Sequence, residues 1–198
     1  MFFEKLKNYN VLLASNSKRR HELLNQLGVE FKIVNQNIDE SFSRNLKNSE
    51  ITDYLAKKKS SSFIKNLQKN DLLLSSDTIV WHKNTALGKP KNRDEAFDMI
   101  KSLENSSHEV ITSICISTIK SQVIVNEKTI VYFDNIDKND LLYYTKKSDV
   151  LDRAGSYGIQ DYIGHIGIKK IEGSYNNVLG FPTNLFVNTI NSMILWNG

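Results

Sequence analysis

Six of the nine glycines lie between Gly155 and Gly180, and the only prolines are Pro90 and Pro182. Glycine frees the backbone for turns and close ligand approach, and proline fixes it. The chain therefore concentrates its special backbone in two places, around Gly88-Lys89-Pro90 and from Gly155 to Pro182. No internal repeat and no low-complexity linker interrupts the rest. At 198 residues one domain is expected, and 40% apolar with 10% aromatic residues is enough for a core, which excludes a disordered tail or a fibrous repeat. The single cysteine, Cys115, excludes an intramolecular disulfide and points to a reducing compartment. The net charge of +4 suits a partner carrying phosphates without identifying one. No apolar run approaches the ~18 residues of a membrane span. The start, MFFEKLKNYN, has an acid and amides where a signal peptide needs an apolar core. A cytoplasmic protein is the expectation.

Residues 10–15 read as a buried strand, and Ser17 as the cap of a helix whose Leu23, Leu24 and Leu27 share a face and which Gly28 ends. Residues 31–35 read as a second strand. Residues 49–69 read as a helix striped by Ile51, Leu55, Ile64 and Leu67 and capped by Ser49. DLLLSSDTIVWHK reads as a strand with polar residues in its middle, followed by a turn at Lys83-Asn84. Asn92 caps a helix carrying Ala96, Phe97, Ile100 and Leu103. Residues 109–119 and 122–133 read as an antiparallel pair. Asp137 opens a short helix, and residues 183–195 close the chain with another. Strands alternating with helices and then a hairpin predict an α/β (mixed α+β) fold, a mixed sheet with helices on its faces.

Four segments carry chemistry. Ser15-Asn16-Ser17-Lys18-Arg19-Arg20 puts two hydroxyls, three cations and free helix-start amides together, the composition of an anion site, although a capped basic helix looks the same. In Ser75-Ser76-Asp77-Thr78 an aspartate sits inside an apolar strand, costly unless something holds it, as for a general base or a metal ligand. Gly88-Lys89-Pro90 presents a lysine from a stiff loop. The glycine-rich stretch, DRAGSYGIQ and then EGSYNNV, has the makings of a base-binding wall in which Gln160 offers both donor and acceptor. The four histidines have no metal-ligand spacing. Cys115 reads as core, and Lys57-Lys58-Lys59 as a mainly solvated face with one lysine turned inward.

Taken in order, these segments resemble the Maf family of nucleoside triphosphate pyrophosphatases. The family's S-x-S-P-R-R corresponds to SNSKRR, its I-D-E to Ile38-Asp39-Glu40, its lysine-alanine pair to Lys59-Ser60, and its A-D-T-V-V to Ser76-Asp77-Thr78-Ile79-Val80. G-K-P is Gly88-Lys89-Pro90, H-x-V-x-T is His108 to Thr112, D-K-A-G-x-Y-x-I-Q is DRAGSYGIQ, and G-S-Y-x-N-V-x-G-L-P is GSYNNVLGFP. The likeness covers about residues 11–182. Lys18, Ser60, Asp149-Val150 and Asp161 depart from the pattern, and Asp161, beside Gln160, bears on the base pocket.

The resemblance implies one Maf-like domain over residues 1–198, with a central twisted mixed sheet flanked by helices and two lobes around a deep cleft. It implies hydrolysis of dTTP and UTP, with CTP a further candidate, to the monophosphate and pyrophosphate, as house-cleaning of nucleotide pools. Asp77 would accept the proton of water, with Lys59 and Lys89 catalytic. Ser15, Ser17, Arg19 and Arg20 would meet the triphosphate, and Arg19, Thr78 and Gln160 would set substrate choice. Glu40 and Asp77 would hold a divalent cation, magnesium or manganese. A homodimer is implied, with no nucleic-acid or membrane partner. Three other readings carry less. An inosine-triphosphate-type pyrophosphatase lacks the two glycine-rich patterns. A nucleic-acid-binding module would need a basic stripe interleaved with aromatics, whereas the lysines here are spread evenly. A division regulator without catalysis would not need the carboxylate and cation set.

Overall fold

A computed structural model describes residues 2–34, 38–147 and 149–195. Seven strands form one mixed sheet with the hydrogen-bonded order β2-β1-β3-β5-β6-β7, and β4 pairs with β3. The strands are β1 (Asn10–Ala14), β2 (Lys32–Ile33), β3 (Asp71–His82), β4 (Thr85–Leu87), β5 (Ser107–Ser117), β6 (Gln122–Phe133) and β7 (Ile168–Glu172). The helices are α1 (Phe2–Leu6), α2 (Lys18–Gln26), α3 (Ser49–Ile64), α4 (Arg93–Leu103), α5 (Lys138–Lys147), α6 (Tyr162–Gly167), α7 (Tyr175–Leu179) and α8 (Thr183–Leu195). β1 runs parallel to both β2 and β3, while β4 and β7 pair antiparallel with β3 and β6. The fold is thus mixed α/β. Among the described residues no helix is long and apolar enough to cross a membrane.

The chain divides into two compact units. The first comprises residues 1–77, 112–127 and 180–198, and the second 78–111 and 128–179. In the first unit β1 lies beside β3, with Leu12 opposite Leu73 and Ala14 opposite Ser75. Where they pair, residues 11–14 of β1 and 72–74 of β3 are apolar, as parallel strands covered on two faces must be. Leu13, Leu24, Ile51, Leu73, Leu74 and Phe186 are wholly buried there, and Phe181 meets Phe186 edge to face at 5.2 Å. The second unit has a continuous core of Val80, Ile100, Leu103, Val131, Phe133, Leu141, Tyr144 and Tyr157. The β3–β4 hairpin turns through Lys83 and Asn84, both at positive φ (46° and 59°), which matches the right-handed twist of the flanking strands.

Several boundaries differ from those read in the sequence. α3 stops at Ile64 rather than at residue 69, because Leu67 folds back to pack with Ala14 and Leu73. Ser49 is its first helical residue and Asn48 occupies the cap position. Ser17 stands at the start of α2 as expected but makes no side-chain cap bond, whereas Asn92 accepts from the Glu95 amide at 2.8 Å. The second strand covers only Lys32–Ile33, and Asn35, where the sequence reading ended it, lies outside the described residues. α1, β4, α6, β7 and α7 gave no periodic signal long enough to read, at three to six residues each.

Candidate active site

In the first unit the strand β3 delivers Asp77, and α3 delivers the lysine that meets it. α3 buries Ile51, Leu55, Ala56 and Ser60, and Lys59 follows Leu55 and Ala56 by one turn on the margin of that face. Its ammonium is 2.6 Å from Asp77 Oδ1 and 2.8 Å from Glu40 Oε1. Lys59 is therefore the inward member of the lysine run. Asp77 is 7% exposed. Burial pushes its carboxyl above the ordinary carboxylate range, against the opposing pull of Lys59 and Arg20, and Glu40 adds to the rise.

Arg20 is buried at 9% exposure and spends its donors on the protein. Nε donates to the Gly180 carbonyl at 2.8 Å, and Nη1 donates to the Ser76 carbonyl at 3.0 Å and to Ser15 Oγ at 3.2 Å. One guanidinium thus ties the end of β1, the middle of β3 and the start of the last segment together. Ser15 Oγ also accepts from the Ser17 amide at 3.3 Å, and the Ser15 carbonyl meets His21 Nε2 at 2.8 Å. Arg19 is half-buried on the first turn of α2. The Ser76 hydroxyl is buried with no hydrogen-bond partner among the described residues.

Two carboxylate oxygens, from Glu40 and Asp77, converge on one ammonium. That convergence fits a hard divalent cation of the magnesium type, which takes one or two carboxylates and completes its shell with water and phosphate oxygens. Among the described residues there is no group of three or more histidine, cysteine or acidic side chains that could hold a metal by itself.

The other expected residues, Thr78, Lys89 and Gln160, belong to the second unit. There the two special-backbone segments meet. The Gly155 amide donates to the Gly88 carbonyl at 3.1 Å, and Lys89 pairs with Asp152 at 2.6 Å. Gly155 holds φ 66°, and a Cβ on it would lie 2.8 Å from Val80 Cγ2, so glycine is needed there twice over. Thr78 is half-buried on β3, and Gln160 is exposed on the turn before α6.

Three further features were not legible in the sequence. The Asp161 carboxylate is engaged within the protein, by Arg153 and by the Tyr144 hydroxyl. The later half of the glycine-rich stretch is committed to structure: buried Asn177 donates to the Val110 carbonyl at 3.0 Å and to Thr129 Oγ1 at 2.9 Å. Buried His108 meets the Tyr157 hydroxyl at 2.6 Å, with its basicity depressed to a pKa of about 3 by burial and by His82. In the sequence His108 stands only as the first residue of the H-x-V-x-T segment, with nothing to mark Tyr157 as its partner.

Comparison with known proteins follows the same lines. A family model described as "Maf-like protein" matches residues 10–193. A protein of Flavobacterium johnsoniae named dTTP/UTP pyrophosphatase is 45% identical over 92% of this chain and 94% of its own length. One of the same name from Christiangramia forsetii is 45% identical over 98% of this chain and 99% of its own. A third, from Bacteroides fragilis, is 40% identical over 89% and 92%. Among solved structures, the Staphylococcus aureus Ham1 protein superimposes with a TM-score of 0.53 at 14% identity, over 93% of this chain and 99% of that one, a likeness of fold alone.

Proposed function

The chain belongs to the family of Maf-like proteins, and from that premise we propose that it is a nucleoside triphosphate pyrophosphatase acting on dTTP and UTP. Water attacks the α phosphorus, the bond from that phosphorus to the α–β bridging oxygen breaks, and the products are the nucleoside monophosphate and pyrophosphate. The observation that carries the reading is Asp77, a carboxylate buried in an apolar strand and gripped at Oδ1 by Lys59. A general base needs to sit in one orientation with its proton affinity raised toward its working pH. Lys59 supplies the orientation and burial supplies the affinity. Lys59 takes Oδ1, so Oδ2 is the oxygen assigned to the proton of the attacking water.

The remaining residues divide by chemistry. Ser15, Ser17, Arg19 and Lys89 meet the phosphates, as hydroxyls and cations do where negative charge develops. Arg20 adds positive potential while its bonds fix the segment that carries Ser15. Thr78 and Gln160 read the base. Glu40 and Asp77 would hold a divalent cation, which when bound neutralises charge on the departing pyrophosphate. A cytoplasmic location, a homodimer, a role in clearing unwanted nucleotides and acceptance of CTP belong to the same proposal. Pyrophosphate release measured over a panel of nucleoside triphosphates tests it. dTTP and UTP should lead by on the order of 100-fold over ATP, as two mismatched edge groups would give. A purine triphosphate as best substrate would overturn the assignment.

A further inference from the structure

Gln160 stands on a four-residue turn, Gly158 to Asp161, closed by the Asp161 amide donating to the Gly158 carbonyl at 3.0 Å. Within that turn Ile159 is buried and anchors it to the core, while Gln160 is exposed. No hydrogen bond holds the Gln160 side chain among the described residues, so its direction depends on the backbone beneath it. A single hydroxyl touches both end residues of that turn, one through its backbone amide and the other through its side chain. Tyr144, wholly buried on α5, accepts from the Gly158 amide at 3.2 Å and donates to Asp161 Oδ2 at 2.8 Å. Arg153 pairs with the same carboxylate oxygen, and the two side chains are 14% and 17% exposed. The guanidinium lies close over Gly158, where a Cβ would run into Nη1. The turn is thus held at its first and last residues by one buried group, with an ion pair behind it.

We propose that Tyr144 is a specificity-positioning residue, whose hydroxyl clamps both ends of the 158–161 turn so that Gln160 is presented to the base in one orientation. This rests on the reading of Gln160 as the base-contacting amide. The hydroxyl serves the two bonds at once, as acceptor at one end and donor at the other, which phenylalanine cannot do. Burial and the neighbouring Asp161 push the phenol well above its ordinary range, so it keeps its proton at every working pH.

The test uses the full chain with Tyr144→Phe, Gln160→Ala and the double variant. For each, kcat and KM are measured separately on dTTP, UTP and ATP, and folding is checked by thermal unfolding. Tyr144→Phe should lose on the order of 10-fold of the pyrimidine preference, what one lost hydrogen bond is worth. The loss should appear mainly in KM for dTTP and UTP. The double variant should discriminate no worse than Gln160→Ala alone, because the clamp acts only through Gln160. Asp161→Asn, which keeps an acceptor for the tyrosine, should retain more preference than Asp161→Ala. If Gln160→Ala alters the ranking and Tyr144→Phe does not, or if Tyr144→Phe slows all three substrates equally, the clamp is wrong and the reading of Gln160 survives. If Gln160→Ala itself leaves the ranking unchanged, that reading fails and the clamp falls with it.

Discussion

Lys59 holds down the Asp77 carboxyl that burial raises, and their pairing makes the chemistry of single residues testable. Asp77→Asn should keep its fold and lose roughly 100- to 10,000-fold in turnover, read as pyrophosphate release, because the amide cannot take a proton from water. Burial raises the Asp77 carboxyl, so the acid limb of kcat/KM should lie above the ordinary aspartate value of 3.8. The base works deprotonated, so activity falls as pH drops through that limb. Lys59 and Arg20 pull the other way, so Lys59→Met should carry the limb to higher pH as well as slowing the reaction. A limb that stays in place in Lys59→Met would detach the lysine from the base. Lys89 offers a contrast, since its ammonium is more than half exposed and paired with an equally exposed Asp152. Such a pair contributes little to stability. Lys89→Ala should therefore unfold like the parent yet lose on the order of 10- to 100-fold in kcat/KM, while Lys91→Ala, a residue further along the same exposed segment, should not.

Helix starts and glycine turns show how similar sequence signals resolve differently. Ser17 and Asn92 both read as caps, but only Asn92 makes the bond, to the Glu95 amide. Asn92→Ala should cost about 1 kcal/mol in denaturant unfolding and Ser17→Ala close to nothing. The Ser17 amide is instead drawn back to Ser15 Oγ, within the segment that Arg20 ties to Ser76 and Gly180. Gly28 and Gly158 differ in the same way. Gly28 ends α2 at φ 71° with open space where a Cβ would go, so Gly28→Ala should cost only about 1–2 kcal/mol of backbone strain. Gly158→Ala would place a methyl where the Arg153 guanidinium lies, and that side chain, partly buried and paired with Asp161, would have to shift. It should be the more damaging of the two in unfolding experiments.

At the scale of the whole molecule, pH acts on stability as well as on catalysis. His108 is buried and stays neutral down to about pH 3, whereas in the unfolded chain it takes a proton near 6.5. Between those values the unfolded state binds more protons, so stability falls as pH falls, by about 1.4 kcal/mol per pH unit. Relative to His108→Gln, which does not titrate, the parent should lose roughly 2 kcal/mol between pH 6.5 and 5. Parallel stability curves for the two proteins would remove His108 from the acid sensitivity. Much of this molecule was legible in its sequence, for a reason that is local. β1 is read from a short apolar run, α2, α4 and the β5–β6 pair from apolar periodicity, and Asp77 stands out as a charge on an apolar strand; each signal is written in neighbours along the chain. What the sequence could not carry is partnership between distant positions. The motif resemblance singles out Lys59 over Lys57 and Lys58, but that its ammonium meets Asp77 depends on which face of α3 is buried. That Asp161 pairs with Arg153 and Tyr144 depends on where α5 lies beside the turn. Such pairings join residues 8 to 18 positions apart in the chain, and Arg20 with Gly180 160 apart. Only packing brings them together, because a buried charge or hydroxyl must find its partner wherever the fold puts one.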